Sequence, residues 1–197
     1  MSKYPNTLGR IEAVWNRLGG EEGVDRFLRG IVKITILKHT VDSGAQLRLP
    51  FDNAEVVKHD SEINGKKVVE IELRSDDNLY IDGKKVSLHL SERQMGDKRI
   101  VGHELRKELE GGDQVLLNSN VLDYLYDHPE LFPEHWKKDD TGETRYIFFW
   151  GSIFRLPSRG SLCVRCLCWD GGGLFRFDRW LDYDWGRQGP SASVASN

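Results

Sequence analysis

Tyr146-Ile147-Phe148-Phe149-Trp150-Gly151, Leu162-Cys163-Val164-Arg165-Cys166-Leu167-Cys168-Trp169 and Leu174-Phe175-Arg176-Phe177-Asp178-Arg179-Trp180-Leu181 are three apolar runs separated by turn residues. Together they read as an antiparallel β-meander. Twelve of the chain's twenty aromatic residues fall between Trp136 and Trp185. A buried aromatic removes about 150–250 Å² from water, so this small sheet carries a large apolar payload. Both faces of residues 146–154 are apolar, which predicts a central strand covered on both sides. Pro157-Ser158-Arg159-Gly160 and Asp170-Gly171-Gly172-Gly173 supply the reversals. The third run alternates Phe175 and Phe177 with Arg176 and Asp178, the pattern of a half-exposed, charged edge.

Upstream, Leu8, Ile11, Val14, Trp15 and Leu18 make a helical stripe that Asn6 or Thr7 can cap and Gly19-Gly20 can end. A second short helix follows from Glu21 and Glu22, with Val24, Phe27 and Leu28 on one face and Gly30 as its stop. Residues 31–37 alternate like a strand, whereas residues 40–65 show turn signals and little period. Val69, Ile71 and Leu73 share one strand face against Glu70 and Glu72. Leu79 and Ile81 can pair with Val86, Leu88 and Leu90 across Asp82-Gly83, a two-residue hairpin signal. Val101, Leu105 and Leu109 then line a helix closed by Gly111-Gly112. Another, capped by Asn118 or Ser119, turns Val121, Leu122 and Leu125 inward and ends near His128-Pro129. Residues 130–138 read as a turn or broken helix.

These elements give an α+β fold: a helical N-terminal element, an antiparallel sheet with packed helices, and the C-terminal aromatic meander. The polar run Lys137-Lys138-Asp139-Asp140-Thr141-Gly142 sets the expected boundary. Residues 1–138 form one α+β domain, 139–186 the meander, which can extend the same sheet, and 187–197 a small, polar, flexible tail.

A length of 197 residues fits one domain or two small ones, and a net charge of −3 argues against a dominantly electrostatic nucleic-acid binder. The longest apolar stretch, residues 147–153, is far short of a membrane span, and the N-terminus lacks the apolar region of a secretion signal. Three cysteines within six residues are not a disulfide framework, so a reducing, cytoplasmic location is expected.

Val121-Leu122-Asp123-Tyr124-Leu125, His128-Pro129-Glu130-Leu131, Phe149-Trp150-Gly151 and Leu162-Cys163-Val164-Arg165-Cys166-Leu167 resemble phrases of a family of uncharacterised bacterial proteins, as does Leu8-Gly9-Arg10-Ile11-Glu12-Ala13-Val14-Trp15. The resemblance implies a bacterial, cytoplasmic protein and brings no activity or site residue with it.

Chemistry-bearing motifs are sparse. Cys163, Cys166 and Cys168 lack the second ligand pair of a structural zinc site, and Cys163 and Cys166 point to opposite faces of a strand. They read as packing thiols. His103 reads as a solvated residue and His128 as a helix-end residue. There is no Gly-x-Ser-x-Gly, no His-Glu-x-x-His and no phosphate-cradling loop; Asp182-Tyr183-Asp184-Trp185-Gly186 departs from a calcium loop at the glycine and the closing acid. No cofactor or metal is expected.

Aromatic residues interleaved with arginine remain, and they point to a non-catalytic intracellular binding or interaction protein. The expected ligand-binding surface comprises Trp169, Arg176, Arg179, Trp180, Asp182, Asp184 and Trp185. A protein, small-molecule or carbohydrate partner fits the net charge better than nucleic acid, and no membrane is expected. The alternative is a hydrolase drawing its acids from Asp170, Asp178, Asp182 and Asp184.

Overall fold

Alternation between polar and apolar residues, turn glycines and short helical stripes build this chain. A computed structural model describes residues 15–16, 20–29 and 39–197. The chain divides into two compact units, Met1–Leu37 and Lys38–Asn197. In the first, Trp15 and Asn16 are helical and helix α1 spans Gly20–Leu28, with Glu21 and Glu22 in its first turn. Negative charge there meets the positive end of the helix dipole. The rest of the stripe expected over residues 8–18, and the strand expected at 31–37, lie outside the described residues.

The second unit opens with β1 (His39–Asp42), β2 (Glu55–His59) and β3 (Val68–Leu73). Strands β1 and β2 arise where the sequence showed little period, because β2 leaves Val56 and Val57 exposed and offers no alternating signal. In β3, Val69 and Ile71 turn inward and Glu70 and Glu72 outward, as expected. Strands β4 (Leu79–Ile81) and β5 (Lys84–Lys85) meet across Asp82-Gly83, where both residues have positive φ, 48° and 77°. That is the type I′ turn whose twist matches a hairpin. The pairing extends to Val86, whose N–H donates to Leu79 O, and then the chain departs. Strand β6 (Ser87–His89) joins a different sheet.

Strand β7 (Ile100–Val101) leads into α2 (Gly102–Glu110), which buries Leu105 and Leu109, whereas Val101, expected on the same stripe, lies in β7 before the helix and is exposed. After β8 (Gln114–Leu116), helix α3 (Ser119–Asp127) starts where the Asn118 side chain accepts from the N–H groups of Asn120 and Val121. Two 3₁₀ turns, Pro129–Leu131 and Glu134–Trp136, carry the chain to β9 (Ile147–Phe148), β10 (Ser152–Arg155), β11 (Leu162–Asp170) and β12 (Gly173–Trp180). Strands β13 (Asp184–Trp185) and β14 (Ser191–Ala195) finish the unit.

One sheet has the order β1-β3-β4-β5. A larger, mixed sheet runs β2-β10-β11-β9-β14-β6, with β12 added on β11 and β8 on β14, and β13 pairs with β7 separately. The larger sheet is covered on both faces. One face packs Ile147, Phe149, Leu167, Ala192 and Val194 against α3 and the four-stranded sheet. The opposite face packs Phe148, Trp150, Ile153, Val164 and Cys166 against Leu105 and Leu109 of α2 and against Leu181 and Trp185.

The fold is therefore α+β, with three corrections to the organisation expected of it. Residues 146–154 are not one strand. The chain breaks at Trp150-Gly151 because the 116–118 backbone crosses there: a Cβ on Gly151 would lie 2.8 Å from Leu116 O. The boundary at residue 138 does not divide the fold: the meander extends the same sheet, the arrangement the sequence allowed, with β2, β6, β8 and β14 as members. Residues 187–197 are not a loose tail: β14 lies inside the sheet, with Ala192 and Val194 buried.

Candidate functional site

Strand parity divides the expected binding surface. Along β12, Phe175, Phe177 and Arg179 share one face, while Leu174, Arg176, Asp178 and Trp180 share the other. Arg176 and Arg179 thus serve different surroundings.

On the α3 side, Arg176 donates to Asp123 at 2.6 Å and lies 4.1 Å over the Tyr126 ring. Arg165, itself buried, donates to the same carboxylate at 3.0 Å and to Arg48 O, and lies 3.7 Å from Asp178. Burial raises the Asp178 pKa against the opposing charges of Arg165 and Arg176. Two guanidiniums on one buried carboxylate make a closed ionic cluster that joins α3 to the sheet. Trp169 stacks on Phe132 beneath the Lys137 ammonium, which lies 3.7 Å from its ring centroid. Trp180 packs 5.9 Å from Phe51. These side chains hold the core rim together.

The acids of the hydrolase reading are dispersed. Asp170 pairs with Gly173 at the hairpin turn, and Asp178 pairs with Arg165 five residues away. At about 3.3 Å per residue the two stand about 16 Å apart, beyond the roughly 5–9.5 Å that glycoside hydrolysis uses. Asp182 is exposed and paired with His103 at 3.1 Å, and Asp184 is exposed on β13.

A Ser–His pair does occur, where sequence gave no motif. Ser152 Oγ accepts from the Ser119 N–H and lies 3.0 Å from His59 Nδ1. Ser152 is fully buried, so this pair ties β10 to β2 and to the start of α3. The thiols are equally closed off. Cys163, Cys166 and Cys168 are buried, and burial pushes the Cys163 thiol up to about 12 and raises the other two.

Arg179 and Trp185 stand on the other side of the sheet, and they do meet. Because β13 pairs with β7, alternation sends Asp184 outward and Trp185 inward, against the expectation that Trp185 is exposed. Its ring packs 4.2 Å from Phe148 and 5.0 Å from Trp150. The Arg179 guanidinium lies 5.3 Å from the Trp185 ring and donates to Asp184 O at 2.6 Å. Arg179 Nε is buried without a hydrogen-bond partner among the described residues.

A pocket of about 380 Å³ opens beside this pair. Phe148, Trp185 and Tyr146 supply its apolar walls, and Lys98, Arg99, Arg179 and Arg187 surround it against one acid, Asp97. Arg187 is steadied by Thr141 Oγ1 at 2.9 Å and by Asp139 at 3.5 Å. The Thr141 hydroxyl, followed by the Glu143 and Thr141 N–H groups and the Arg187 charge, holds Asp139 below the usual carboxylate range against its burial. Lys98 and Arg99 form no ion pair among the described residues. From Tyr146, Phe177 and Phe175 continue outside the pocket as an exposed aromatic strip.

Sequence reading missed the 96–99 loop and Gly186 to Gly189. Their residues are ordinary loop types, and only the β7–β13 pairing brings them together. Among the described residues no helix is long and apolar enough to cross a membrane. No family model, curated protein or solved structure matches this chain.

Proposed function

We propose that this chain is a binding protein for a small anionic ligand that carries a flat ring, held in the pocket beside Trp185. The observation that supports it is the concentration of Lys98, Arg99, Arg179 and Arg187 around an aromatic wall, with Asp97 as the sole lining acid. The volume lies within the roughly 300–1,000 Å³ common for small-molecule sites. Arginine over an aromatic face suits a ring, through stacking and cation–π attraction, and the free donors suit its anionic group. We take the chain to act inside the cell, a reading supported by three buried thiols with no disulfide among them.

The test is a thermal-shift and calorimetric screen of nucleoside monophosphates and aromatic carboxylates, each against its neutral analogue. A ligand that binds only the folded chain raises the melting temperature. The anionic member of a pair should bind and its neutral analogue should not, with affinity falling as salt rises. Lys98 and Arg99 are exposed, so Lys98→Ala/Arg99→Ala should leave stability within about 0.5 kcal/mol. It should weaken binding about tenfold or more, since a charge-assisted hydrogen bond is worth about 1.5–3 kcal/mol. No shift from any anion in the screen, or equal affinity in the double variant, overturns the reading.

A further inference from the structure

We infer that His39, His128 and Glu130 form a binding site for a divalent transition-metal ion, with zinc as the best fit. Each offers one ligand atom, and the three atoms lie within 4.8 Å of one another. They come from three places: His39 from the start of β1, His128 from the residue that caps α3, and Glu130 from the following 3₁₀ turn. His39 is 89 positions from His128, so the grouping is produced by the packing of β1 on α3 and not by local sequence.

The surroundings favour a cation at this point. Tyr124 Oη lies 3.0 Å from His39 Nδ1 and fixes the rotation of that ring. A hydrogen-bond partner of this kind orients a metal-binding imidazole. The His39 and His128 rings stand 5.2 Å apart at 75°, and the Tyr124 ring packs 4.4 Å from His128. Glu130 Oε1 lies 3.1 Å from His128 Nδ1. Two ligands bound at about 2.0 Å to a tetrahedral ion are separated by about 3.3 Å, so this gap already matches a shared metal. Two imidazoles and one carboxylate are a borderline-soft donor set suited to zinc, cobalt, nickel or copper and poorly suited to magnesium or calcium.

Three protein ligands leave a coordination position for water or another oxygen donor, unlike the closed four-ligand site of a structural zinc. His39 and His128 are half-buried and Glu130 is exposed, so an ion can reach the site from solvent. Bound metal would clamp the beginning of β1 to the end of α3. The site is remote in sequence from every residue lining the Trp185 pocket, and it does not depend on that pocket's ligand.

The test is calorimetric titration of the untagged full chain with zinc, together with the visible spectrum of its cobalt form. One zinc per chain should bind, raising the melting temperature. Cobalt should show the bands of nitrogen and oxygen ligation without a thiolate charge-transfer band, since the cysteines are buried. His39→Gln, His128→Gln and Glu130→Gln should each weaken zinc binding by about tenfold or more, and Tyr124→Phe by about tenfold. Circular dichroism of the metal-free variants separates lost ligation from lost folding, and Glu130→Gln serves as the variant at an exposed position. Wild type without saturable zinc binding overturns the proposal. So does a His39→Gln/His128→Gln double variant that still binds one zinc with unchanged affinity.

Discussion

Trp185 shows how one register decision sets the energetics of a residue. Paired with Ile100, it is 1% exposed and wedged between Phe148 and Trp150. Trp185→Ala should therefore cost about 3–5 kcal/mol in denaturant titration, the range for deleting a buried aromatic. A midpoint shift equivalent to less than about 1 kcal/mol would mean that the ring is not packed as described. The charged run Asp182-Tyr183-Asp184 around it reads as surface, and Tyr183 is indeed exposed. What the run does not reveal is its partner, the short strand β7, which turns one residue of a polar segment into core. Cys166, by contrast, is legible from its own strand: it lies in the run 162–169, which is apolar apart from Arg165, and it is buried as such runs predict.

At the scale of the element, β14 carries the clearest consequence. Ser191-Ala192-Ser193-Val194-Ala195 pairs with β6, β8 and β9, and Ala192 and Val194 enter the larger core. Removing residues 190–197 strips three strands of a neighbour, so the truncated chain should lose its cooperative thermal transition. A chain ending at residue 195 should keep it, because Ser196 and Asn197 are exposed. Equal melting temperatures for the full chain and the 190–197 deletion would contradict the central place of β14. Small residues are a weak strand signal because their packing value comes from close neighbours and not from their own area. Strands β4 and β5 needed no such help, since the Asp82-Gly83 turn between them specifies their pairing. The division at Trp150-Gly151 was equally hidden, because an unbroken apolar run does not show where another backbone crosses it.

Across the whole molecule, a half-buried imidazole and a buried thiol link stability to pH. Burial lowers the His59 pKa from its ordinary 6.5, ahead of the raising effects of the Ser43 backbone and Asp60. The folded state thus binds this proton less readily than the unfolded one, so stability is full above about pH 6.5 and declines as pH falls through the lowered folded value. Cys163 works in the opposite sense. Its folded thiol is raised to about 12 from 9.0, so the stability it contributes is present below about pH 9 and is lost as pH rises towards 12. Urea midpoints should form a plateau between these limits. His59→Gln should flatten the acid limb and Cys163→Ala the alkaline one. An acid limb unchanged by His59→Gln would show that the imidazole does not set it.

Sequence by itself determined the α+β class, the β3 pattern, the Asp82-Gly83 and Gly171-Gly172 turns, the Leu105 and Leu109 part of the α2 stripe, the stripe of α3, and the role of the thiols as packing groups. Each follows from interactions a few residues long: side-chain period, capping and the φ that glycine permits. Tertiary structure alone decided which aromatic residues face inward, that β14 belongs to the sheet, and that Arg179 meets Trp185 while Arg176 serves Asp123. It alone also brought Lys98 and Arg99 to the pocket and His39 to His128 and Glu130. These depend on pairings across tens of residues, where a one-residue change of register exchanges the two faces of a strand, and local pattern does not encode which distant backbone supplies the partner.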